Sequence, residues 1–299
     1  MCIRDRPRTL PSHGRDHGFE SRMRYHHRSR LNNFGRLLFQ NDIGTFVPCE
    51  SLFDLPLFNN FKKRSNTQKM IGSDSMGLII DSQSCPLCLN NQTQLFYRST
   101  RVNLERDYFS CDVCSLIFVP SRYHLSPTDE LDRYLEHNND VTDSDYRRFL
   151  SPVANEVVSR IGCNMVGLDY GAGPGPALAL MLEDLGHEMH LYDKYFYPDQ
   201  IVLKQKYDFI VCTETVEHFS NPIHDFDTIY SLIRQGGLFG IMTSILYDDI
   251  AFADWYYRFD PTHVAFYRPE TLHWISQRWN WDLLVPKRNV CIFEKNVKG

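Results

Sequence analysis

The sequence predicts an α/β fold in which a mostly parallel sheet carries helices on both faces and follows a small cysteine-rich module. Two observations predict the sheet. Strand-like apolar runs alternate with helix-like runs from about residue 163 onward, and a glycine-rich turn joins the first of these strands to its helix. Such alternation favours parallel pairing, because each helix returns the chain to the same end of the sheet. Two Cys-x-x-Cys pairs predict the module.

The composition is that of an ordinary globular protein. Of the 299 residues, 42% are hydrophobic and 23% are charged, which excludes a wholly disordered chain and suggests one large domain or two smaller ones. No apolar run reaches the roughly 18 residues of a membrane-spanning helix, and the amino terminus shows no secretory signal. The odd number of cysteines, nine, disfavours a secreted disulfide framework. We therefore expect a cytoplasmic protein with no membrane span.

The net charge of −5 hides an asymmetry between the two parts of the chain. Residues 1–75 carry 13 basic and seven acidic side chains, a net charge of +6, whereas residues 76–299 carry 19 and 30, a net charge of −11. A protein that binds nucleic acid needs a basic surface to meet the phosphates. The acidic body therefore argues against RNA or DNA as the substrate, although a local basic patch would still permit it.

Residues 1–75 do not resemble a domain. Their opening segment is rich in arginine and histidine and shows no helix or strand period. Two interpretations stay open: an unstructured basic tail that binds an anionic partner, or a non-native leader translated from upstream sequence. The abrupt change of character at Met76 favours the second interpretation, with Met70 or Met76 as the start.

Three segments follow the leader. Residues 80–120 hold the cysteine pairs and short strand-like runs, residues 121–162 form a helical linker or lid, and residues 163–299 form the α/β domain. In the linker, Ser126 and Thr128 are candidate N-caps, and a second helix is expected over about Asp143–Ile161. Strands of the α/β domain are expected at MVGLDY, EMHLYD, YDFIVCT, LFGIMTS, WDLLVPK and NVCIFEK, and helices around Ala177–Leu185, His224–Ile233 and Pro269–Arg278.

The cysteine pairs Cys85-x-x-Cys88 and Cys111-x-x-Cys114 have the spacing of a zinc ribbon. Each pair forms a tight turn that presents two thiolates in one direction, and four thiolates complete the tetrahedron that zinc prefers. A closed site of four cysteines leaves no coordination position for a substrate, so we expect a structural Zn²⁺. Four free cysteines or a redox pair are the alternatives.

The glycine-rich turn reads Asp169-Tyr-Gly171-Ala-Gly173-Pro-Gly175, between an apolar strand and an apolar helix. The glycines permit a tight turn and a close approach of a ligand to the backbone. The spacing differs from the Gly-x-Gly-x-x-Gly of dinucleotide-binding enzymes, and two prolines remove N–H groups that a pyrophosphate would use. The turn instead suits a ligand with an amino-acid end, whose ammonium group would meet Asp169.

These segments resemble class I S-adenosylmethionine-dependent methyltransferases over about Asp143–Lys295. The glycine turn is similar to the first motif of that family, YDFIVCTETVEHFSNP to its fourth-strand motif, and LIRQGGLFGIMTS to the segment that introduces strand five. The preceding zinc ribbon and helical link resemble a bacterial group within the family, close to the ubiquinone-type methyltransferases. The resemblance implies a Rossmann-like class I methyltransferase sheet that binds S-adenosyl-L-methionine.

The resemblance also implies which residues hold the cofactor. Asp193 ends the second strand, where this family holds the ribose hydroxyls with an acid, because a carboxylate accepts two hydrogen bonds from a vicinal diol. The implied cofactor-binding residues are Asp169, Gly171, Gly173, Gly175, Asp193, Thr213 and Glu214. The chain departs from the family between Asp193 and Tyr207, where we expect only an abbreviated third strand around Ile201–Leu203.

Two groups of residues are candidates for the chemistry. Glu214, Glu217 and His218 form an E-x-x-E-H motif that, in ubiquinone-biosynthesis O-methyltransferases, is associated with a divalent metal. These side chains would hold Mg²⁺ or Mn²⁺ against a pair of acceptor oxygens. Alternatively, Glu214 contacts cofactor or substrate and His218 bonds to the loop backbone.

The second group follows strand five, in a loop that usually faces the acceptor in this fold. His263 is a candidate general base, with Asp260 to orient it and Tyr267 to hydrogen-bond the substrate. Aromatic side chains of this loop would bind a planar or apolar acceptor. A packed cap, with His263 bonded to the main chain, is the alternative. Tyr134, His137 and Asn138 lie on the linker and either cover the cofactor or form an ordinary surface.

The leading hypothesis is a methyltransferase that acts on a small molecule, at oxygen or at carbon. Two alternatives stay open: an RNA methyltransferase that uses the zinc ribbon for recognition, and a catalytically inactive cofactor-binding protein that docks through the ribbon. The acidic body, the aromatic loop and the modest size favour the first.

Overall fold

The computed structural model describes residues 83–136 and 139–297, together with three short strands nearer the amino terminus. These strands, β1 (Arg30–Leu31), β2 (Leu37–Gln40) and β3 (Phe46–Pro48), pair antiparallel in the order β1-β2-β3. The rest of the leader at residues 1–75 lies outside the described residues, so both interpretations of it stay predictions. Residues 83–297 belong to a second compact unit.

The cysteine-rich module is a small antiparallel sheet. Its strands are β4 (Thr93–Ser99), β5 (Arg106–Cys111) and β6 (Ile117–Phe118). The linker then forms α1 (Pro127–Leu135) and α2 (Ser144–Val158). Of the two candidate caps of α1, the structure selects Ser126, whose hydroxyl accepts a hydrogen bond from the Asp129 backbone N–H at 3.2 Å.

The α/β domain is a six-stranded sheet with helices on both faces, as expected. Its order is β12-β13-β10-β9-β7-β8, where β8, β7, β9 and β10 run parallel and β13 and β12 are antiparallel to them. The elements are β7 (Val166–Tyr170), α3 (Ala177–Glu183), β8 (Glu188–Tyr192), β9 (Tyr207–Thr213), α4 (Pro222–Leu232), β10 (Ile233–Met242), β11 (Ala265–Phe266), α5 (Pro269–Trp279), β12 (Trp281–Lys287) and β13 (Val290–Lys295).

The central strands are apolar on both faces because helices cover both. Along β9, Phe209 and Val211 pack in the cluster that contains α2 and α3, whereas Ile210 and Cys212 pack in the cluster that contains α4 and α5. Successive side chains of a strand point to opposite faces, so an unbroken apolar run is what a doubly covered strand requires. Among the helices of the described part of the chain, none combines the length and apolar character needed to cross a membrane.

The module and the α/β domain share a sheet and a core. Strand β11 belongs to the loop after β10, but it pairs with β6 of the module, so the module sheet has the order β11-β6-β5-β4. The cysteine turns are buried in the same apolar cluster as Phe226 of α4 and Tyr267 after β11. The loop that carries His263 is therefore held between the two parts of the fold.

The expected third strand around Ile201–Leu203 is wrong. This segment forms one turn of 3₁₀ helix at Val202–Lys204, and β8 is the edge of the sheet. Only residues 194–206 separate β8 and Asp193 from β9. Another parallel strand would need two crossover connections of a dozen or more residues each. The turn instead packs Val202 against the sheet, where its carbonyl accepts the Tyr207 hydroxyl at 2.7 Å.

Candidate functional site

A cavity of about 720 Å³ lies where the carboxyl ends of β7, β8 and β9 meet, beneath α1. Ligands bind at this end of parallel α/β sheets because the loops diverge there. Most of the sequence-predicted site residues are brought together here: Gly171, Gly173, Asp193, Thr213, Glu214, His218, Asp260 and His263 line the cavity. Asp169, Gly175 and Tyr267 do not line it.

The glycine turn forms one wall and leaves its backbone accessible. Gly171 and Gly173 have φ angles of +86° and +62°, in the left-handed region that favours glycine. A Cβ at Gly173 would meet only the Asn139 side chain, at 3.6 Å, so there is room for a ligand against this backbone. Gly175 has a different role, because a Cβ there would lie 1.9 Å from the Asn139 carbonyl oxygen. It permits the segment after α1 to approach the turn.

Two carboxyl groups lie at the glycine-turn end of the cavity. The Asp193 carboxylate accepts hydrogen bonds from the backbone N–H groups of Gly173, Tyr195 and Phe196, at 3.1, 2.8 and 3.1 Å. Asp169 is buried behind it, and its Oδ1 has no hydrogen-bond partner among the described residues. Burial, and secondarily the charge of Asp193, raise the pKa of Asp169 to about 7. A buried, unpaired acceptor beside a second carboxylate fits a cationic amino-acid ligand.

We expect Asp169→Asn to stabilise the ligand-free protein while it weakens cofactor binding. The raised pKa means that the unfolded chain ionises this group near pH 4 and the folded chain only near pH 7. The loss of folding stability that the buried Asp169 carboxyl causes is therefore absent below pH 4, grows as pH rises and is complete above pH 7. Urea unfolding should show a gain on the order of 4 kcal/mol at pH 8 and about 1 kcal/mol at pH 4.5. An equal change for Asp184→Asn, at an exposed aspartate, would contradict this account.

The E-x-x-E-H segment forms the floor of the cavity. Glu214, directly after β9, has a φ of +47° and lines the cavity. Glu217 is fully buried, and its two carboxylate oxygens accept the hydroxyls of Tyr257 at 2.5 Å and Thr243 at 2.9 Å. Burial raises the pKa of Glu214 to about 9 and that of Glu217 to about 7. The floor therefore presents carboxyl groups that hold protons more readily than surface acids do.

The two histidines are fixed by backbone carbonyls. The Nδ1 of His263 lies 2.6 Å from the Tyr257 carbonyl oxygen, and the Nδ1 of His218 lies 3.1 Å from that of Thr262. Because a carbonyl only accepts, Nδ1 carries the proton in both rings. Burial, then the neighbouring His218, lower the pKa of His263 to about 3. His263 is therefore a neutral imidazole and a weak proton acceptor, which disfavours the predicted role of general base.

Two further predicted roles are corrected by the geometry. Asp260 does not orient His263: one of its carboxylate oxygens accepts the Thr262 N–H and hydroxyl, and the other accepts the Arg133 guanidinium at 2.9 Å. Tyr267 is 1% exposed, and its hydroxyl donates to the Val216 carbonyl at 2.9 Å. It packs the core beneath the floor, so it does not hydrogen-bond a substrate in the cavity.

Helix α1 covers the cavity and is attached at two points. Arg133 pairs with Asp260, as described, and Glu130 accepts the Lys194 ammonium, the Tyr195 hydroxyl and the Tyr134 hydroxyl at 2.7–2.8 Å. Lys194 and Tyr195 follow directly after Asp193, so α1 is tied to the loop that orients that carboxylate. His137 and Asn138, the other predicted lid residues, lie outside the described residues.

We expect Glu130→Gln to weaken cofactor binding about tenfold without unfolding the protein. The amide keeps the shape but loses the charge-assisted bond from Lys194, which contributes on the order of 1–2 kcal/mol in a part-buried setting. Titration calorimetry with S-adenosylhomocysteine measures the effect. Asp145→Asn, which removes an exposed ion pair on α2, is the control. Equal affinities in the two variants would show that α1 does not cover the ligand.

Aromatic rings line the rest of the cavity. They come from the linker, from the loop after β8 and from the loop after β10: Tyr134, Tyr146, Phe149, Tyr195, Phe196, Tyr256, Tyr257 and Phe259. Tyr257 of this group and Glu130 of α1 make specific hydrogen bonds, and neither was singled out from the sequence. No signal in the sequence reveals them, because Tyr257 meets Glu217 across 40 positions and Glu130 meets Lys194 across 64.

The four cysteines of the module converge as predicted. The Sγ atoms of Cys85 and Cys114 lie 3.5 Å apart, and those of Cys88 and Cys111 lie 3.4 Å apart. All four lie within 4.8 Å of one another. In a tetrahedral zinc site with bonds of about 2.3 Å, the sulfurs lie roughly 3.8 Å apart. The arrangement therefore fits a zinc ion held by four thiolates.

Comparison with known proteins identifies the α/β domain. The methyltransferase domain family matches residues 142–285, the segment that builds the sheet and the cavity. Residues 142–285, just under half of the chain, are thus similar to a methyltransferase domain. The family resemblance and the fold expected from the sequence are thereby confirmed.

Individual relatives are distant in sequence. A ubiquinone biosynthesis O-methyltransferase of Shewanella pealeana is 27% identical over 85 residues, which are 28% of this chain and 36% of that protein. The chain thus matches about a third of the length of that relative. Among solved structures, the 1,6-didemethyltoxoflavin-N1-methyltransferase of Burkholderia thailandensis, with bound 1,6-didemethyltoxoflavin and S-adenosylhomocysteine, is 15% identical over 67% of this chain and all of its own, with a TM-score of 0.44. Human N-acetylserotonin methyltransferase in complex with S-adenosylmethionine is 13% identical over 57% of each chain, with a TM-score of 0.38.

Proposed function

We propose that this protein transfers a methyl group from S-adenosylmethionine to an oxygen or carbon atom of a small, planar molecule. One observation carries the proposal. One cavity is lined by an accessible glycine turn, by Asp193, by aromatic side chains and by the Glu214 carboxyl, and the unpaired Asp169 is buried near Asp193. We assign the glycine turn and the two aspartates as the first end, which would hold a cationic amino acid and a ribose. We assign the aromatic walls with Glu214 as the second end, which would hold an apolar acceptor.

The first end binds and orients the cofactor, which supplies a methyl group already activated by a positive sulfur. Asp193 would accept the ribose hydroxyls, since its carboxylate is oriented by three backbone N–H groups. The charge of Asp169 would be compensated by the ammonium group. Because the methyl group needs no further activation, the protein contributes mainly position and the exclusion of water. Tyr134 of α1, which lines the cavity, would help to exclude water.

The second end positions the acceptor. Tyr146, Phe149 and Phe259 offer apolar ring faces that suit a planar molecule. Glu214 lines the same cavity, and its raised pKa would keep the carboxyl protonated near neutral pH, so that it would donate a hydrogen bond to an acceptor oxygen. The net charge of −11 on residues 76–299 favours a small acceptor over a nucleic acid.

We further propose that Cys85, Cys88, Cys111 and Cys114 hold a structural zinc ion. The sulfur spacing supports this, as does the burial of three of the four cysteines. The ion would fix the cysteine turns against the core, and strand pairing between β6 and β11 would transmit that order to the His263 loop.

A transfer assay with tritiated methyl-S-adenosylmethionine tests the proposed activity. The full-length, zinc-loaded protein is incubated with a panel of hydroxylated aromatic compounds and, separately, with total cellular RNA. We expect label in a small aromatic product and none in RNA, and none with Asp193→Asn. Label in RNA alone would overturn the small-molecule proposal. Tight cofactor binding without turnover on any acceptor would favour the inactive docking protein.

A further inference from the structure

We propose that Glu217, His218 and His263 form a second metal site, which holds a divalent transition-metal ion such as Zn²⁺, Mn²⁺ or Fe²⁺ at the acceptor end of the cavity. This inference extends the proposed function by naming what would orient the acceptor. One carboxylate oxygen of Glu217 and one ring nitrogen of each histidine lie within 4.8 Å of one another. All three residues line the cavity.

The tautomers of both histidines leave the correct nitrogen for a metal. Each Nδ1–H donates to a backbone carbonyl, of Thr262 or Tyr257, so Nε2 is the ring nitrogen that would bind a metal. Metal-binding histidines usually donate their other N–H to a carbonyl or carboxylate, which fixes the ring and raises its basicity toward the metal. The two rings pack edge to face, with centroids 4.7 Å apart and an interplanar angle of 72°.

The carboxylate is equally well positioned. The hydroxyls of Tyr257 and Thr243 each donate to one oxygen of Glu217, and the side chain is fully buried. These bonds fix the orientation of the carboxylate as outer partners do around known metal ligands. One oxygen of this carboxylate lies 3.9 Å from the Nε2 of His218. A divalent cation between the two atoms would balance the charge of the buried carboxylate.

The structure assigns a different ligand set from the one that the E-x-x-E-H motif suggests. Glu214 is not part of the converging group among the described residues, and His263, which lies 45 positions after His218, replaces it. Two imidazoles and one carboxylate suit zinc, manganese or iron, whereas magnesium prefers oxygen ligands and water. Three protein ligands at a cavity wall leave coordination positions for acceptor oxygens.

Metal titration of the holoprotein tests the site without methyl transfer. Full-length protein with its ribbon zinc retained is dialysed into metal-free buffer and titrated with Co²⁺, followed by elemental analysis and visible absorption. We expect one equivalent of Co²⁺ beyond the ribbon zinc, bound at micromolar concentration or tighter. Its d–d bands should lack the intense thiolate charge-transfer absorption of a four-cysteine site. Failure to bind a second equivalent in folded protein would overturn the proposal.

Variants test the ligand assignment. His263→Gln and the isosteric Glu217→Gln should each weaken Co²⁺ binding at least 100-fold and leave the ribbon zinc in place. His190→Gln, at a histidine outside the cavity, is the matched control and should bind as the wild type does. Unchanged binding in both ligand variants, or a comparable loss in Glu214→Gln, would overturn the assignment. The affinity for S-adenosylhomocysteine in the same samples separates the metal-site proposal from the proposed function. If the protein binds this ligand but not Co²⁺, the metal site is wrong and the proposed function still stands.

Discussion

Asp193→Asn is expected to reduce the affinity for S-adenosylmethionine and S-adenosylhomocysteine by about 100-fold or more. Asp193 follows β8 directly, and three backbone N–H groups orient its carboxylate. The remaining lone pairs of the carboxylate can then accept the two hydroxyls of a diol in the cavity. An amide keeps one acceptor oxygen but places N–H groups against donors. Hydrogen bonds to a charged group are worth about 1.5–3 kcal/mol each, so the loss of two corresponds to 100-fold or more.

Calorimetric titration measures this loss, and the control must separate it from a distorted loop. The N–H groups of Tyr195 and Phe196 lose a charged acceptor in the variant. Asp199→Asn is the matched control, because Asp199 also accepts a backbone N–H in the same loop, that of Ile201, but lies outside the cavity. If Asp199→Asn weakens binding as much as Asp193→Asn does, the effect belongs to the loop and not to the ribose contact.

Cys114→Ser is expected to lose the zinc ion and to destabilise the module and the α/β domain together. Structural zinc contributes about 10–16 kcal/mol of apparent free energy in isolated zinc-finger peptides. Only part of that is expected here, because the cysteine turns also pack in a large apolar core. A loss on the order of 3–5 kcal/mol would lower the melting temperature by about 10 °C. Elemental analysis and a thermal melt measure the two effects.

Because the cysteine module and the α/β domain share a core, we expect them to unfold together, whereas an independent zinc ribbon would unfold separately. The buried cysteines pack in one cluster with Phe226 and Trp279 of the α/β domain, and β6 pairs with β11. The melt should therefore stay a single transition that moves as a whole. Cys212→Ala, which removes a buried thiol far from the ribbon in sequence, should retain zinc. A variant that loses zinc but melts at the wild-type temperature would show that the four cysteines do not stabilise the domain.

The parts of the fold that follow from local patterns were predictable. The strand, turn and helix around Asp169–Gly175 are adjacent in sequence, and strand periodicity located β7 to β10 and both strands of the final antiparallel pair. The four cysteines converge because two short turns already orient each pair. In each case the residues that decide the structure lie within a few positions of one another, so elementary rules of pattern and spacing apply.

The rest depends on contacts that sequence spacing does not encode. The roles predicted for Tyr267 and Asp260 were wrong because Val216 and Arg133, far away in the chain, accept or supply their hydrogen bonds. Residues 194–206 are too few to hold a third parallel strand with its connections. The strand propensity of Ile201–Leu203 nevertheless favoured a strand there, and the structure has a 3₁₀ turn instead. Weak local preferences yield to such tertiary constraints.

Titration of S-adenosylhomocysteine into the full-length, zinc-loaded wild-type protein tests the central claim most directly. The cavity beneath α1, with the unpaired Asp169 and the oriented Asp193, predicts one binding site per chain with micromolar affinity. It also predicts a higher melting temperature at saturating ligand. The absence of both a heat of binding and a thermal shift, in protein that melts cooperatively and contains zinc, would contradict the assignment of this cavity as a cofactor site.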